Sequence, residues 1–311
     1  MLRTKFDYNP YTLSITPTRV TGYIPRSSSS SSQRLVDSYK ANFEKERTDN
    51  LMSKAAAAKL RMSLNWMVYL SSSKSVFVKE TKKNVRFRLS FITLTLPSKQ
   101  IHTATEIKSK CLMNFLQWLR DSAKVKKYIW KAEIQKNGNL HFHITMDKFI
   151  HYQRIRRQWN KNINVLGYVD RYTLASGKFC PPSTEIKSVK NVKKMGAYLS
   201  AYLSGTKGDT SKKHKSVYNN VVIEGRLWGV SSVLSKMKSL KLTEDVQGFD
   251  YLVKYVKQMA HGVMHTDYVH SYYINHEVFN EIVTVYSEIY GFDWLIDSGF
   301  DIYDIGLLGL N

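Results

Sequence analysis

Residues Gly138–Asp147 read GNLHFHITMD, and the rest of the chain is best read outward from them. Polar and apolar residues alternate along this run, the pattern of a β-strand with one covered face. His141 and His143 stand two positions apart, so both imidazoles leave such a strand on the same side and can reach one metal ion. An H-x-H pair carries that meaning only when its surroundings agree. Upstream, Tyr128–Gln135 reads as a second strand, and the Asn137-Gly138 dipeptide between two alternating runs is a strong hairpin signal. Glu133 lies on that partner strand, close across the turn to His141. Trp130, Ala132 and Ile134 alternate onto the opposite face, which favours Glu133 pointing toward the histidines over pointing to solvent. A carboxylate and two imidazoles on one sheet face make an open site for Mg²⁺ or Mn²⁺, with positions left for phosphate oxygens.

Further out, VRFRLSFITLTLP at Val85–Pro97 alternates and is rich in β-formers, so it reads as a strand stopped by Pro97. Ile107, Cys111, Leu112, Phe115 and Leu119 recur at helical steps, which predicts an amphipathic helix over Thr105–Ala123. Tyr152–Asn164 reads as a basic helix around Ile155 and Trp159. Gly167–Thr173 reads as another strand, and Cys180–Ser183 as a loop. The resulting β-α-β-β-α-β series around an antiparallel sheet is the ferredoxin-like arrangement, so the expected fold class is α+β with flanking helices.

Charge points to the partner. The chain of 311 residues has 43% hydrophobic content, enough for a core, and a formal charge of +22. From Lys241 onward there are 3 Lys+Arg against 11 Asp+Glu, and upstream of it 44 against 14, so a basic body of +30 precedes an acidic tail of −8. A polyanion, nucleic acid before membrane, is the expected partner, bound upstream of about residue 240. Only Cys111 and Cys180 are present, too few and too far apart for a zinc ribbon or a disulfide framework. No apolar leader or membrane-length run occurs, and the expectation is a soluble intracellular protein.

The organisation expected is a Thr-, Pro- and Ser-rich flexible leader over residues 1–33 and a helical extension over 34–74. A main domain over 75–240 and an acidic, mostly helical segment over 241–311 follow. In SVKNVKKMGAYLSAYLSG, Lys194, Tyr198 and Tyr202 fall at i, i+4 and i+8 on one helical face. Two phenols beside an ammonium can serve as nucleophiles, or they can simply pack on a sheet. A second run, YLVKYVK at Tyr251–Lys257, presents Tyr251, Lys254 and Tyr255 in a similar pattern. HGVMH at His261–His265 lacks the glutamate of a zincin motif, and no G-x-x-x-x-G-K-[ST] occurs.

The ordered set FITLTLP, GNLHFHIT and a Tyr-x-x-x-Tyr helix resembles the HUH endonucleases that initiate rolling-circle replication. Among them it looks closest to the two-tyrosine replication-associated proteins of small single-stranded DNA bacteriophages and plasmids. The resemblance spans roughly Val85 to Trp228 and takes in EGRLWG at Glu224–Gly229. It implies that His141, His143 and Glu133 hold a divalent metal and that Tyr198 or Tyr202 attacks a phosphate of single-stranded or origin DNA. That attack would leave a 5′-phosphotyrosine and a 3′-OH primer. Many relatives carry a lysine just before the second tyrosine. This chain has Ala201 there, so the role falls to Lys194 or Lys207. The family implies a host helicase and polymerase as partners, no membrane, and the cytoplasm of a bacterial host. Two other functions fit the same residues: a non-catalytic DNA- or RNA-binding protein, and a metal nuclease that uses water.

Overall fold

The computed structural model describes residues 12–23, 50, 52–78, 82–189, 222–266 and 269–297. In chain order its strands and helices begin with β1 (Thr12–Thr16), β2 (Arg19–Tyr23) and α1 (Lys54–Tyr69), then β3 (Lys74–Val78), β4 (Lys83–Phe87) and β5 (Leu89–Leu94). Helix α2 is assembled from Ala104–Ile107, a π turn at Lys108–Leu112, and Met113–Asp121. There follow β6 (Tyr128–Ile134), β7 (Leu140–Met146), α3 (Tyr152–Asn164), α4 (Tyr168–Ser176) and β8 (Thr184–Val189). The last are β9 (Trp228–Val230), α5 (Ser232–Lys236), β10 (Leu240–Thr243), α6 (Phe249–Met259), β11 (Gly262–His265), β12 (Val269–Tyr273), α7 (His276–Tyr290) and α8 (Asp293–Asp297). The fold class is α+β with antiparallel sheets. No helix among the described residues is long and apolar enough to cross a membrane.

The chain divides into two compact units, Arg47–Ser235 and the pair Met1–Glu46 with Lys236–Asn311. In the first, five strands pair antiparallel in the order β8-β5-β7-β6-β9. Taking β5, β6, β7 and β8 as the four strands of the predicted series, their order is that of a ferredoxin-like sheet, with β9 added beside β6. The fourth strand is not where the sequence suggests. Gly167–Thr173 is largely helix, α4, because Gly167 and Gly177 both take left-handed φ values, 74° and 71°, and bracket a helical run. Tyr168 at its start is fully buried and accepts backbone N–H groups of Ile101 and His102 on its hydroxyl.

Helices α2 and α3 cover one face of this sheet. The predicted stripe of Ile107, Cys111, Leu112, Phe115 and Leu119 is buried, and α2 starts with a capping box in which Thr103 and Glu106 exchange hydrogen bonds. Trp159 of α3 packs edge-on against Phe115 and Phe142 and donates from Nε1 to Thr95 O at 2.8 Å. Phe142 lies between His141 and His143 on β7, so anchoring it in this core turns both histidines to the opposite face.

The single strand expected over Val85–Pro97 is two. Arg88 bends the chain and donates from Nε to Ser71 O at 2.6 Å, so β4 pairs only with β3 in a two-stranded ribbon while β5 enters the main sheet. In the second unit the order is β10-β1-β2-β12-β11, all antiparallel. Residues 12–23, inside the stretch read as a flexible leader, are thus a hairpin with Leu13, Ile15 and Val20 buried. Residues after 240 contribute three strands as well as α6, α7 and α8, and HGVMH lies largely on β11.

Candidate metal centre

The turn that joins β6 to β7 is held at both ends. Gly138, at φ 84°, donates to Gln135 O at 2.8 Å. Asn139 accepts from Gln100 N and donates to Ser98 O, each at 2.9 Å, and Leu140 N donates to Gln100 Oε1 at 2.7 Å. This fixes the register, in which Glu133 faces His141 and Lys131 faces His143 directly across the strands. On the other side of β7, Thr93 of β5 faces His143. Five polar side chains therefore share one sheet face by alternation alone.

They converge. His141 Nε2 and His143 Nε2 lie 2.9 Å apart, and Glu133 Oε2 lies 3.6 Å and 3.5 Å from them. Glu133, His141 and His143 form the one group of three His, Cys, Asp or Glu side chains with metal-ligand spacing among the described residues. An octahedral ion with bonds of about 2.1 Å sets neighbouring ligands about 3.0 Å apart, so the three atoms fit a shared cation with little movement. The donor set of two imidazoles and one carboxylate suits Mg²⁺ or Mn²⁺ and leaves coordination positions open.

The electrostatics favour the ligating forms. Burial alone raises the Glu133 carboxyl, but hydrogen bonds from His141 and His143 and the Lys131 ammonium outweigh it and hold it well below the usual carboxylate range. Lys131 Nζ bonds the other oxygen, Oε1, at 2.6 Å. Burial is the main cause that lowers His143, helped by His141 and Lys131 and opposed by Glu133, so its imidazole is neutral at physiological pH. Thr93 Oγ1 lies 3.2 Å from His143 Nδ1. With the proton on Nδ1, that bond turns the Nε2 lone pair toward the cluster. Phe91 stacks on the same ring at 5.2 Å. His141 Nδ1 is buried and has no hydrogen-bond partner among the described residues.

Lys131 and Thr93 were missed in the sequence, although the signal was there: they alternate onto the same face as Glu133 and His143. Lys194, Tyr198, Tyr202 and Lys207 lie outside the described residues. In the competing run, Tyr251 is 74% exposed on α6 and Tyr255 donates to Glu281.

Comparison with known families agrees with the region that carries the cluster. Residues 89–207 match the family model for replication-associated proteins of the ORF2 kind. The matched stretch begins at the first residue of β5, includes Glu133, His141 and His143, and extends through Lys194, Tyr198 and Tyr202. No curated protein and no solved structure gives a significant match.

Proposed function

We propose that the protein initiates rolling-circle replication by nicking and rejoining single-stranded origin DNA, as an HUH endonuclease of the two-tyrosine type. The observation that carries this reading is the convergence of Glu133, His141 and His143 on one sheet face, within a stretch that matches a replication-associated family. The net charge of +22 suits the substrate.

Glu133, His141 and His143 would hold a divalent cation, which when bound draws charge from a non-bridging oxygen of the scissile phosphate. Lys131 keeps Glu133 ionised, and Thr93 keeps the His143 ring in its ligating orientation. Tyr198 or Tyr202 is the nucleophile: its phenolate oxygen bonds to phosphorus, the P–O3′ bond breaks, and the 3′ oxygen takes a proton to become the primer hydroxyl. The strand stays attached through a 5′-phosphotyrosine, and the second tyrosine can take it over when the circle is closed. Lys194 lies one helical turn before Tyr198 in sequence, where an ammonium favours phenolate. The same reading places the protein in a bacterial cytoplasm. A host polymerase extends the primer there, and a host helicase supplies the strand separation for which this sequence carries no phosphate-binding loop.

The test is incubation with labelled single-stranded origin DNA and Mn²⁺, followed by denaturing electrophoresis. A covalent adduct is expected, lost with EDTA, with His141→Ala and with the double change Tyr198→Phe, Tyr202→Phe. Cleavage without an adduct would indicate water as the nucleophile. Binding without cleavage would leave only a DNA-binding protein. An adduct that survives loss of both tyrosines would overturn their assignment.

A further inference from the structure

The ribbon formed by β3 and β4 belongs to neither five-stranded sheet, and its two faces differ. In its register Ser75 faces Arg86, Phe77 faces Asn84, and Val76 faces Val85. The face bearing Val76, Val85 and Phe87 is half-buried to buried, and Phe87 is seated against Phe149 with ring centroids 5.7 Å apart. The other face displays Ser75, Phe77, Asn84 and Arg86, all exposed, with Phe77 at 57%. An aromatic ring held out on a strand whose other face is already packed is not needed for the ribbon's own stability.

The charge around it has one sign. Lys82 and Lys83 are exposed at the start of β4. At the foot of the ribbon, Lys74, Lys124, Lys126, Lys127 and Lys148 line a cleft of about 510 Å³ whose one acid is Asp147. Lys127 pairs with that carboxylate at 3.1 Å, and Lys74 donates to its backbone oxygen at 2.8 Å. Five ammonium groups against one carboxylate leave a strongly positive surface continuous with the ribbon.

We propose that this ribbon is an arm that reads duplex DNA, entering the major groove with Ser75, Phe77, Asn84 and Arg86 toward the base edges while the lysines at its foot rest on phosphates. The fit is geometric and chemical. The B-form major groove, about 12 Å wide, admits a two-stranded β-ribbon. Arginine matches the paired acceptors of guanine, asparagine matches adenine, and a phenyl ring contacts the thymine methyl. The deep, narrow major groove of an RNA helix excludes such side chains. A single strand needs a row of stacking rings, and this ribbon face presents one. The proposal rests on DNA being the partner, as above, but not on the nicking chemistry. It adds a duplex anchor to a unit whose metal cluster would handle a single strand.

Fluorescence anisotropy with a labelled DNA duplex of about 20 base pairs, two helical turns, and randomised sequence is the test. The matching single strand and an RNA duplex serve as controls. Lys83→Glu combined with Arg86→Glu is expected to weaken duplex binding by about tenfold or more and to make its log-log salt dependence shallower by about 2. Single-strand affinity and Mn²⁺-dependent adduct formation should be unchanged, and selection on random duplexes should show that Arg86→Ala loses preference for one guanine. Photo-cross-linking of the unaltered protein to an iodouracil-substituted duplex reports without any substitution, and adducts are expected within residues 74–87. Duplex affinity within about twofold of the unaltered protein, equal losses on single strand or RNA, or adducts confined to other segments would each overturn the arm. If the unaltered protein binds duplex through the ribbon yet forms no tyrosine adduct, the nicking reading fails and the arm stands.

Discussion

Lys131 Nζ lies 2.6 Å from Glu133 Oε1, while Oε2 of the same carboxylate faces both imidazoles. One glutamate thus mediates between a buried ammonium and a cation site. Lys131→Met should remove the partner and leave a largely enclosed charge, lowering stability in EDTA by about 1–3 kcal/mol at pH 7, less than a fully buried pair because Glu133 retains some solvent contact. The folded-state pKa of Glu133 is depressed. Its contribution is therefore present above the unfolded value of about 4.3 and is lost as pH falls through the folded one. Urea denaturation of both proteins should show the gap narrowing only below about pH 4.3.

Thr93 touches no metal ligand atom but orients one. Thr93→Val keeps the shape and removes the hydroxyl that lies 3.2 Å from His143 Nδ1. Outer-shell changes of this kind cost about 10- to 100-fold in metal affinity, so Mn²⁺ titration followed by electron paramagnetic resonance should show about a tenfold loss. His143→Ala should lose more. Affinity should also fall with acid, because protons compete for the imidazoles.

What the sequence discloses depends on whether the cause is local. Asn137-Gly138 announces the hairpin, and a short turn leaves few registers, so Glu133 and His141 pair by spacing alone. Lys131 escapes because a charged residue between Trp130 and Ala132 looks like a solvent position until the second covering of that face is known. The hairpin at residues 12–23 escapes because its partners, β10 and β12, are more than 200 residues away, and no local pattern reveals such pairing. Gly167–Thr173 misleads because Tyr, Val and Thr suggest a strand, whereas the glycines at the two ends of α4 are the stronger signal.

Gly229 supports the cluster indirectly, by its packing beside β6. It faces Trp130 in the register, and a Cβ there would fall 2.5 Å from the indole Nε1. Trp130 is 6% exposed and has little room to move. Gly229→Ala should destabilise by about 1–3 kcal/mol as the ring is forced from its position. Chemical denaturation measures the loss, and a cost under about 0.5 kcal/mol would show that β9 simply shifts outward.

His270 gives the second unit its own pH response. It is 3% exposed on β12, beside His265 with ring centroids 4.6 Å apart. Burial first, then His265 and Lys257, lower its pKa. The sign is opposite to that of a histidine with an acidic partner. Above the unfolded value of about 6.5 both states are neutral and the group contributes nothing, whereas below it the unfolded chain takes up the proton more readily and folding is penalised. Stability of this unit should therefore decline as pH drops from about 7 to 5.5. Hydrogen exchange of amides in β2 and β12 isolates that response from the metal-site histidines. His270→Leu should flatten the decline, even if it shifts the overall level, and an unchanged slope would assign the response to another group.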